Sequence, residues 1–369
     1  MGKRVIFLLP GSGHSPIGGH KVVYEYANRL VTDGYQVDVV YPAYGFRYGN
    51  HGLPYKLWRV CFATAFFVLR KALGRYSCRT WYRLDERVRE HWVFSLKQKN
   101  VPVGDIYIAT AVRTSIYLNT YKGVPDENKY YLIQGYENWG DITKEILLRT
   151  YRFKFKKIVI SSWLKEIMEQ CGETCTLIPN GFDFDYFKLT VPIEQKERFT
   201  VCMVYSKVPL KGSADGLTAL AAVKEKYPKL RANLFGASAP PANLPEWCSY
   251  YRRPDRETHV RLYNEAAVFV APSWEEGWGL TVGEAMICGC AVACTDNQGH
   301  REMANHQDTA LLSPVKDTAA LAANIIRLIE DDSLRQRIAQ SGNRSIQKFT
   351  WDRAYGAFSQ LIADNLADK

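Results

Sequence analysis

Residues Ala271 to Thr295 read APSWEEGWGLTVGEAMICGCAVACT. The short apolar run Val268 to Ala271 stops at Pro272, as a buried strand does, and Gly277-Trp278-Gly279 then makes a glycine-flanked turn. A helix is expected from about Leu280 to Cys288, with a further strand at Ala291 to Cys294. Strand, glycine turn, helix and strand in that order form the repeating unit of a parallel sheet covered by helices, so the stretch points to the α/β class. The first amides of such a helix lack intrahelical partners and lie at the positive end of its dipole, which makes the turn a ready phosphate site. Two carboxylates flank it, Glu276 immediately before the turn and Glu284 one to two helical turns beyond. An acid facing a phosphate would repel it, so each suits a hydroxyl-rich group, as a carboxylate accepts from the ribose of a bound dinucleotide. The competing reading makes both of them first-turn acids that favour the helix dipole.

The same alternation runs outward in both directions. Val5 to Leu9 reads as a strand, Gly11 to Gly19 as a glycine-rich turn, and Val22, Val23, Tyr26, Ala27 and Leu30 share one helical face before Asp33-Gly34. Further strands are expected at Val37 to Tyr41, Ile106 to Thr110, Tyr130 to Gln134, Ile158 to Ser161 and Thr176 to Pro179. Asp183 to Arg198 loses periodicity and gathers charge and a proline, which makes it the candidate linker. A second series follows: a strand at Phe199 to Tyr205, a helix at Ala214 to Tyr227 and a strand at Arg231 to Phe235. The closing stripe Tyr355, Phe358, Leu361 and Ile362 needs a surface to cover. At 369 residues the chain exceeds what one core usually holds, so two domains are expected.

Composition narrows the function classes. With 47% hydrophobic and 23% charged residues the chain is globular, not disordered. The most apolar run, Val60 to Leu69, stops between Arg59 and Arg70, short of the length that spans a bilayer. Lys3-Arg4 followed by Val5 to Leu9 is too short for a secretory signal. Nine cysteines without CxxC spacing argue against a disulfide framework or a zinc site and place the chain in the reducing cytoplasm. Between Leu53 and Lys99 stand eleven Lys/Arg against three acids, a surplus of eight in a chain whose total is +10. Trp58, Phe62, Phe66, Phe67, Tyr76, Trp81, Tyr82 and Trp92 are interleaved with them, as in segments that lie on an anionic membrane; the competing reading is a solvated helical face. No nucleic-acid module accompanies the charge, so no nucleic-acid partner is expected. His14, His20 and His300 lack metal-ligand spacing, Gly11-x-Gly13 lacks the dinucleotide spacing, and Lys211-Gly212-Ser213 lacks the Walker order.

Pro272, Ser273, Glu276, Gly277, Trp278, Gly279, Leu280, Glu284, Ala285, Met286 and Gly289 fill the pattern P-S-x-x-E-G-[FW]-G-L-x-x-x-E-A-M-x-x-G. In this the stretch resembles the signature of the family 4 nucleotide-sugar glycosyltransferases. The resemblance extends to Gly18-Gly19 opening the first helix, Pro179-Asn180-Gly181-Phe182-Asp183, Lys211-Gly212, Gly299-His300-Arg301-Glu302 and Phe349-Thr350-Trp351-Asp352. It implies the GT-B fold: two Rossmann-like α/β domains facing across a cleft, with a C-terminal helix crossing back to the N-terminal domain. On that plan residues 1–185 bind the acceptor, 186–350 bind the donor, and 351–369 form the returning helix.

The resemblance further implies a retaining enzyme, without metal or other cofactor, that moves a sugar from a nucleoside-diphosphate donor. The acceptor would be a glycan or lipid-linked oligosaccharide of surface polysaccharide synthesis, and the basic aromatic segment 53–99 suggests that it is met at the inner face of the membrane. Glu276 would hold hydroxyls of the transferred sugar and Glu284 the donor ribose; Gly277 and the amides of Trp278, Gly279 and Leu280 would meet sugar and diphosphate. Lys211 would neutralise the leaving diphosphate, and Gly18 and Gly19 would let backbone approach it. Two positions depart from the pattern. Ser206 stands where the family usually has arginine, so Lys207 would supply the second positive charge. Tyr131 to Trp139 offers Gln134, taken as catalytic, and Glu137 where many members carry histidine, and resembles a subset that includes rhamnosyltransferases. Loops Tyr251 to Arg256 and Gly45 to Tyr55 are expected near donor and acceptor respectively. The alternatives are a GT-B sugar-nucleotide epimerase and a non-catalytic nucleotide or sugar binding protein.

Overall fold

The computed structural model describes residues 2–45 and 52–367. Packing divides the chain into two units, Met1–Pro179 with Asp352–Lys369, and Asn180–Trp351.

In the first unit the chain runs β1 (Arg4–Leu8), α1 (Gly18–Thr32), β2 (Gln36–Pro42), α2 (Leu53–Ala72), β3 (Arg89–Val93), β4 (Ile106–Ala109) and α3 (Val112–Leu118). It continues through β5 (Lys129–Ile133), α4 (Lys144–Tyr151), β6 (Lys156–Val159), α5 (Ser162–Gln170) and β7 (Thr176–Leu177). All strands pair in parallel, in the order β3-β2-β1-β4-β5-β6-β7. Val5, Ile6, Phe7 and Leu8 of the inner strand β1 are fully buried, as unbroken apolar strands must be when helices cover both faces. The strand order reverses between β1 and β4, so their following helices leave on opposite faces and a crevice opens at the carboxyl ends of the two strands.

The second unit repeats the plan with β8 (Thr200–Val204), α6 (Ser213–Lys226), β9 (Arg231–Gly236), β10 (Cys248–Arg252), α7 (Arg256–Glu265) and β11 (Val268–Ala271). Then come α8 (Leu280–Ile287), β12 (Ala291–Thr295), β13 (Leu311–Ser313), α9 (Thr318–Glu330) and α10 (Asp332–Ile346). Its parallel order, β10-β9-β8-β11-β12-β13, reverses between β8 and β11. The aperiodic run 183–198 is docked on this unit: Asn264 accepts from the Thr190 amide at 2.7 Å, and the buried Lys196 ammonium donates to the Tyr263 and Ala266 carbonyls at 3.1 Å each.

Three strands lie outside the hydropathic expectation. REHWV of β3 is an edge strand whose charges are answered sideways, Arg89 and His91 standing 2.9 and 2.6 Å from the buried Asp38 carboxylate of β2. CSYYR of β10 forms the matching edge of the second sheet, and β13 is only three residues long. Edge strands need apolar residues on fewer positions, so their periodicity is weak.

The stripe of the last helix, α11 (Trp351–Ala367), finds its surface on the first unit. Beyond Trp351 it belongs to the first unit, where Phe358 stacks on Tyr26 with ring centroids 4.3 Å apart and on Phe7 at 6.5 Å. Tyr355 donates to Asp33 at 2.5 Å. The return of the C-terminal helix to the N-terminal fold is thus present. Phe358→Ala should cost the first unit about 3–5 kcal/mol, the usual penalty for emptying a buried aromatic site. Urea unfolding followed by the fluorescence of that unit checks it, and a loss below about 1 kcal/mol would mean that α11 does not complete the core.

Candidate active site

The reversal between β8 and β11 brings together the two segments that carry most of the expected site. Lys207 and Lys211 follow β8; Glu276, Gly277, Trp278 and Gly279 follow β11, with Leu280 and Glu284 on α8. Lys211 Nζ donates to both oxygens of Glu276, at 2.7 and 2.8 Å, and Ser273 Oγ donates to Oε1 at 2.8 Å. The lysine side chain is 42% exposed and the carboxylate 16%, so the pair sits at the mouth of the crevice with its negative partner inside. Burial pushes the Glu276 carboxyl up, but the Lys211 ammonium and the hydrogen bonds from Lys211 and Ser273 outweigh it and hold the carboxyl below its ordinary range.

The two loops are laced to each other. The Trp274 amide donates to the Leu210 carbonyl at 2.8 Å, and Trp274 Nε1 donates to Asp215 of α6 at 2.6 Å. Gly212 caps α6 in the left-handed region at φ 58°, and a Cβ there would lie 2.0 Å from the Pro272 carbonyl oxygen. Gly279 likewise opens α8 at φ 88°, a conformation that only glycine adopts readily. Among the described residues the amides of Trp278, Gly279 and Leu280 donate to no protein acceptor. They form the unpaired first turn of α8, aimed where an anion is stabilised.

Behind this pair lies a third loop, after β12. Asn297 accepts from the His300 amide at 2.9 Å and donates to the Ser273 carbonyl at 2.9 Å, while His300 Nδ1 lies 2.8 Å from the Thr295 carbonyl. A ring nitrogen against a carbonyl must carry the proton, which fixes the tautomer. Burial holds the His300 pKa below its usual value, against the opposing influence of Glu276. His300 is therefore a neutral buttress under Ser273 and Glu276, a role that the search for metal spacing does not reveal; its signal is its place in Gly299-His300-Arg301-Glu302.

Glu284 is 6% exposed and accepts from Tyr263 at 3.1 Å. No acid occupies the first turn of α8, so the dipole reading of both carboxylates does not hold. Trp278 points its ring inward, edge-on to Phe349 at 5.1 Å, leaving only its backbone for a ligand. Lys207 is exposed and enters no ion pair among the described residues; its amide reaches Ser238 Oγ at 3.4 Å. Ser206, at the arginine position, is tied to Ser213 by its amide at 2.9 Å.

In the first unit, Gly18 and Gly19 open α1 without a side-chain cap, and Gln134 Nε2 donates to the Gly19 carbonyl at 3.2 Å. Glu137, in the loop after β5, accepts from the Val112 amide at the start of α3 at 3.0 Å. Burial raises its carboxyl to about 7, against the Val112 hydrogen bond and the Arg113 charge. Residues 46–51 of the expected acceptor loop Gly45 to Tyr55 lie outside the described residues. Among the described residues no group of three or more His, Cys, Asp or Glu is placed to hold a metal ion.

Residues 190–345 match the family described as glycosyl transferases group 1. HepE from Anabaena, solved in complex with UDP-glucose, superposes with a TM-score of 0.72 over 98% of this chain and 100% of its own, at 18% identity. The chain is a GT-B fold protein related to the group 1 glycosyl transferases. Phosphatidyl-myo-inositol mannosyltransferase of Mycobacterium tuberculosis is 27% identical over 198 residues, covering 50% of this GT-B chain and 52% of the relative. The chain thus spans about half the length of the curated relatives it matches first. O-antigen chain mannosyltransferase B of Escherichia coli is 33% identical over 106 residues, 29% of this chain and 27% of the relative.

The raised Glu137 pKa carries a stability signature. An acid whose folded pKa exceeds its unfolded value binds its proton more tightly in the native state, so its contribution to stability falls as pH rises from about 4.5 to about 7. Glu137→Gln removes that loss: it should be more stable than the parent above pH 7, with the gap closing below pH 5. Melting temperature against pH for both proteins checks this, and parallel curves would contradict it.

Proposed function

We propose that this GT-B protein is a retaining glycosyltransferase that moves a sugar from a nucleoside-diphosphate donor to a glycan or lipid-linked acceptor of surface polysaccharide synthesis. The observation that carries the reading is the Lys211–Glu276 pair beside the unpaired amides at the start of α8, at the strand-order reversal of the second unit. The diphosphate lies over those amides, Gly277 and Lys211, whose positive character is greatest where the leaving group gathers charge. Lys207 adds a second, mobile cation. Glu276, kept ionised, accepts hydroxyls of the transferred sugar, and Glu284 accepts those of the ribose. In this reading no metal is needed, because lysine and backbone dipoles stabilise the departing phosphate. In the first unit Gln134, which donates to the Gly19 carbonyl, serves the acceptor.

The relatives' names support the two acceptor classes: one acts on a phosphatidyl-inositol lipid and another on an O-antigen chain. HepE was solved with UDP-glucose, which puts UDP-sugars first in a donor survey. All nine cysteines are free, six of them buried, which fits a reducing compartment. No helix among the described residues is long and apolar enough to cross a membrane. We assign the enzyme to the cytoplasmic face of a membrane, in peripheral contact through part of residues 53–99.

Two experiments test the site. In a thermal-shift panel of UDP, GDP, dTDP, ADP and CDP without metal, one diphosphate should stabilise the protein; at about 100 times its dissociation constant the gain is roughly 2.7 kcal/mol. Glu284→Ala should abolish the shift, and a panel with no shift would remove the donor site. Glu276→Gln should lower turnover of the matching nucleotide sugar by about 100-fold, the scale of losing one strong transition-state contact. Its melting temperature should hardly move, and equal loss of stability and activity would sink the assignment. Conversion of the nucleotide sugar without acceptor would identify an epimerase, and binding without turnover a binding protein.

A further inference from the structure

The apolar surface of the first unit is gathered on α2. Of the described side chains on this 20-residue helix only Ala63 is buried. Leu57, Trp58, Phe62, Val68 and Leu69 are each more than half exposed, and at 3.6 residues per turn they share one face that carries no charged residue. Tyr55, Trp58, Phe62 and Phe66 run along the helix as a ladder of rings 6.2, 5.7 and 6.2 Å apart. An exposed apolar stripe of this size in a globular protein marks a surface that something covers.

The charges lie on the other side or at the rim. Arg59 donates to the Gly45 carbonyl at 2.6 Å, and Arg70 donates to Ser12 Oγ and, at 3.1 Å, to the Arg75 carbonyl. Lys71 and Arg75 are exposed and enter no ion pair among the described residues. Of the three acids of the segment, Glu90 is held by Ser77 and Arg79 at 2.6 and 3.0 Å and Asp85 by Arg87 at 2.9 Å, while Glu86 is exposed and enters no ion pair among the described residues. An uncharged aromatic face edged by free cations is complementary to an anionic bilayer, with the rings at the acyl boundary and the cations among the headgroups. The aromatics downstream do not join this surface: Trp81 and Tyr82 pack on Tyr24 at 5.8 and 5.2 Å, and Tyr76 stacks on Trp92 at 5.8 Å.

Those inward aromatics do something else. Trp81 Nε1 donates to the Gly13 carbonyl at 2.7 Å, and the Gly13 amide donates to the Tyr76 carbonyl at 2.8 Å. With Arg70 on Ser12, the helix and its following loop clasp the turn between β1 and α1, at the strand-order reversal of the first unit. We propose that α2 docks its outward face on an anionic bilayer and, through Arg70 and Trp81, carries the Ser12-Gly13 turn with it to the membrane surface. The inference rests on the peripheral-enzyme reading and narrows it to one helix face and one mechanical link.

Co-sedimentation at low salt tests the face, with vesicles of phosphatidylcholine alone and with about a third phosphatidylglycerol. The full chain should pellet with the anionic vesicles only. Trp58→Ser with Phe62→Ser, and separately Lys71→Glu with Arg75→Glu, should each lower partitioning at least tenfold without moving the melting temperature or any diphosphate-induced shift. A parent protein that stays in the supernatant overturns the peripheral reading itself. A Trp58/Phe62 variant that pellets like the parent overturns the assignment to α2 and leaves the peripheral reading standing. A parent that dimerises without lipid, and a variant that does not, would show a second copy on this face and overturn the proposal. Hydrogen exchange tests the link: anionic vesicles should slow exchange in α2 and in residues 11–14 of the parent, but in α2 alone of Arg70→Gln. Equal slowing of the turn in both would overturn it.

Discussion

Parallel strands whose order reverses leave a crevice at their carboxyl ends that neither flanking helix can fill, and each unit is built around one such point. The chain goes outward from β8 to β10 and returns at β11, so residues about 65 positions apart in sequence, Lys211 and Glu276, end side by side. Everything else in the candidate site supports that meeting. The Trp274 amide ties the two loops, and Asn297 and His300 fill the space behind Ser273. The left-handed glycines let the helices begin where the loops end.

The pair at the centre is also a competition. An ammonium that holds both oxygens of a carboxylate is not free for a phosphate, and a carboxylate so held is not free for a hydroxyl. In the proposed function a bound donor offers Lys211 its phosphates and Glu276 its hydroxyls, so each partner exchanges one charge-assisted contact for another. The pair thereby keeps Glu276 ionised and both groups roughly placed before any ligand arrives, which lowers the reorganisation that binding requires. Lys207, beside the serine that stands at the arginine position, fits the arrangement, since a lysine can follow a phosphate that a rigid fork would have to meet in one geometry.

The central strands and the glycine turns were legible because burial on both faces demands unbroken apolar runs, and because a turn without Cβ announces itself. The edge strands β3 and β10 were not, since each packs on only one neighbour and carries few apolar residues; in β3 the charges of Arg89 and His91 are answered by Asp38 across the sheet. In the site, the carboxylates could be named from their place beside the glycine turn and Lys211 from the family resemblance, whereas the contact between Lys211 and Glu276 is a product of strand order that no local pattern encodes. His300 illustrates the limit best. Its sequence neighbours suggest a loop residue; its burial and its fixed tautomer depend on Asn297 and Thr295 meeting it after β12 has joined the sheet.

The returning helix has a consequence for how the protein is made. Phe7 and Tyr26 lie within the first tenth of the chain, and the ring that completes their core, Phe358, is close to its end. Synthesis at roughly 5–20 residues per second adds the whole of the second unit, Asn180–Trp351, before the returning helix that completes the first. From Pro179 to Asp352 the first unit therefore waits roughly 9–35 seconds with an unfinished apolar face.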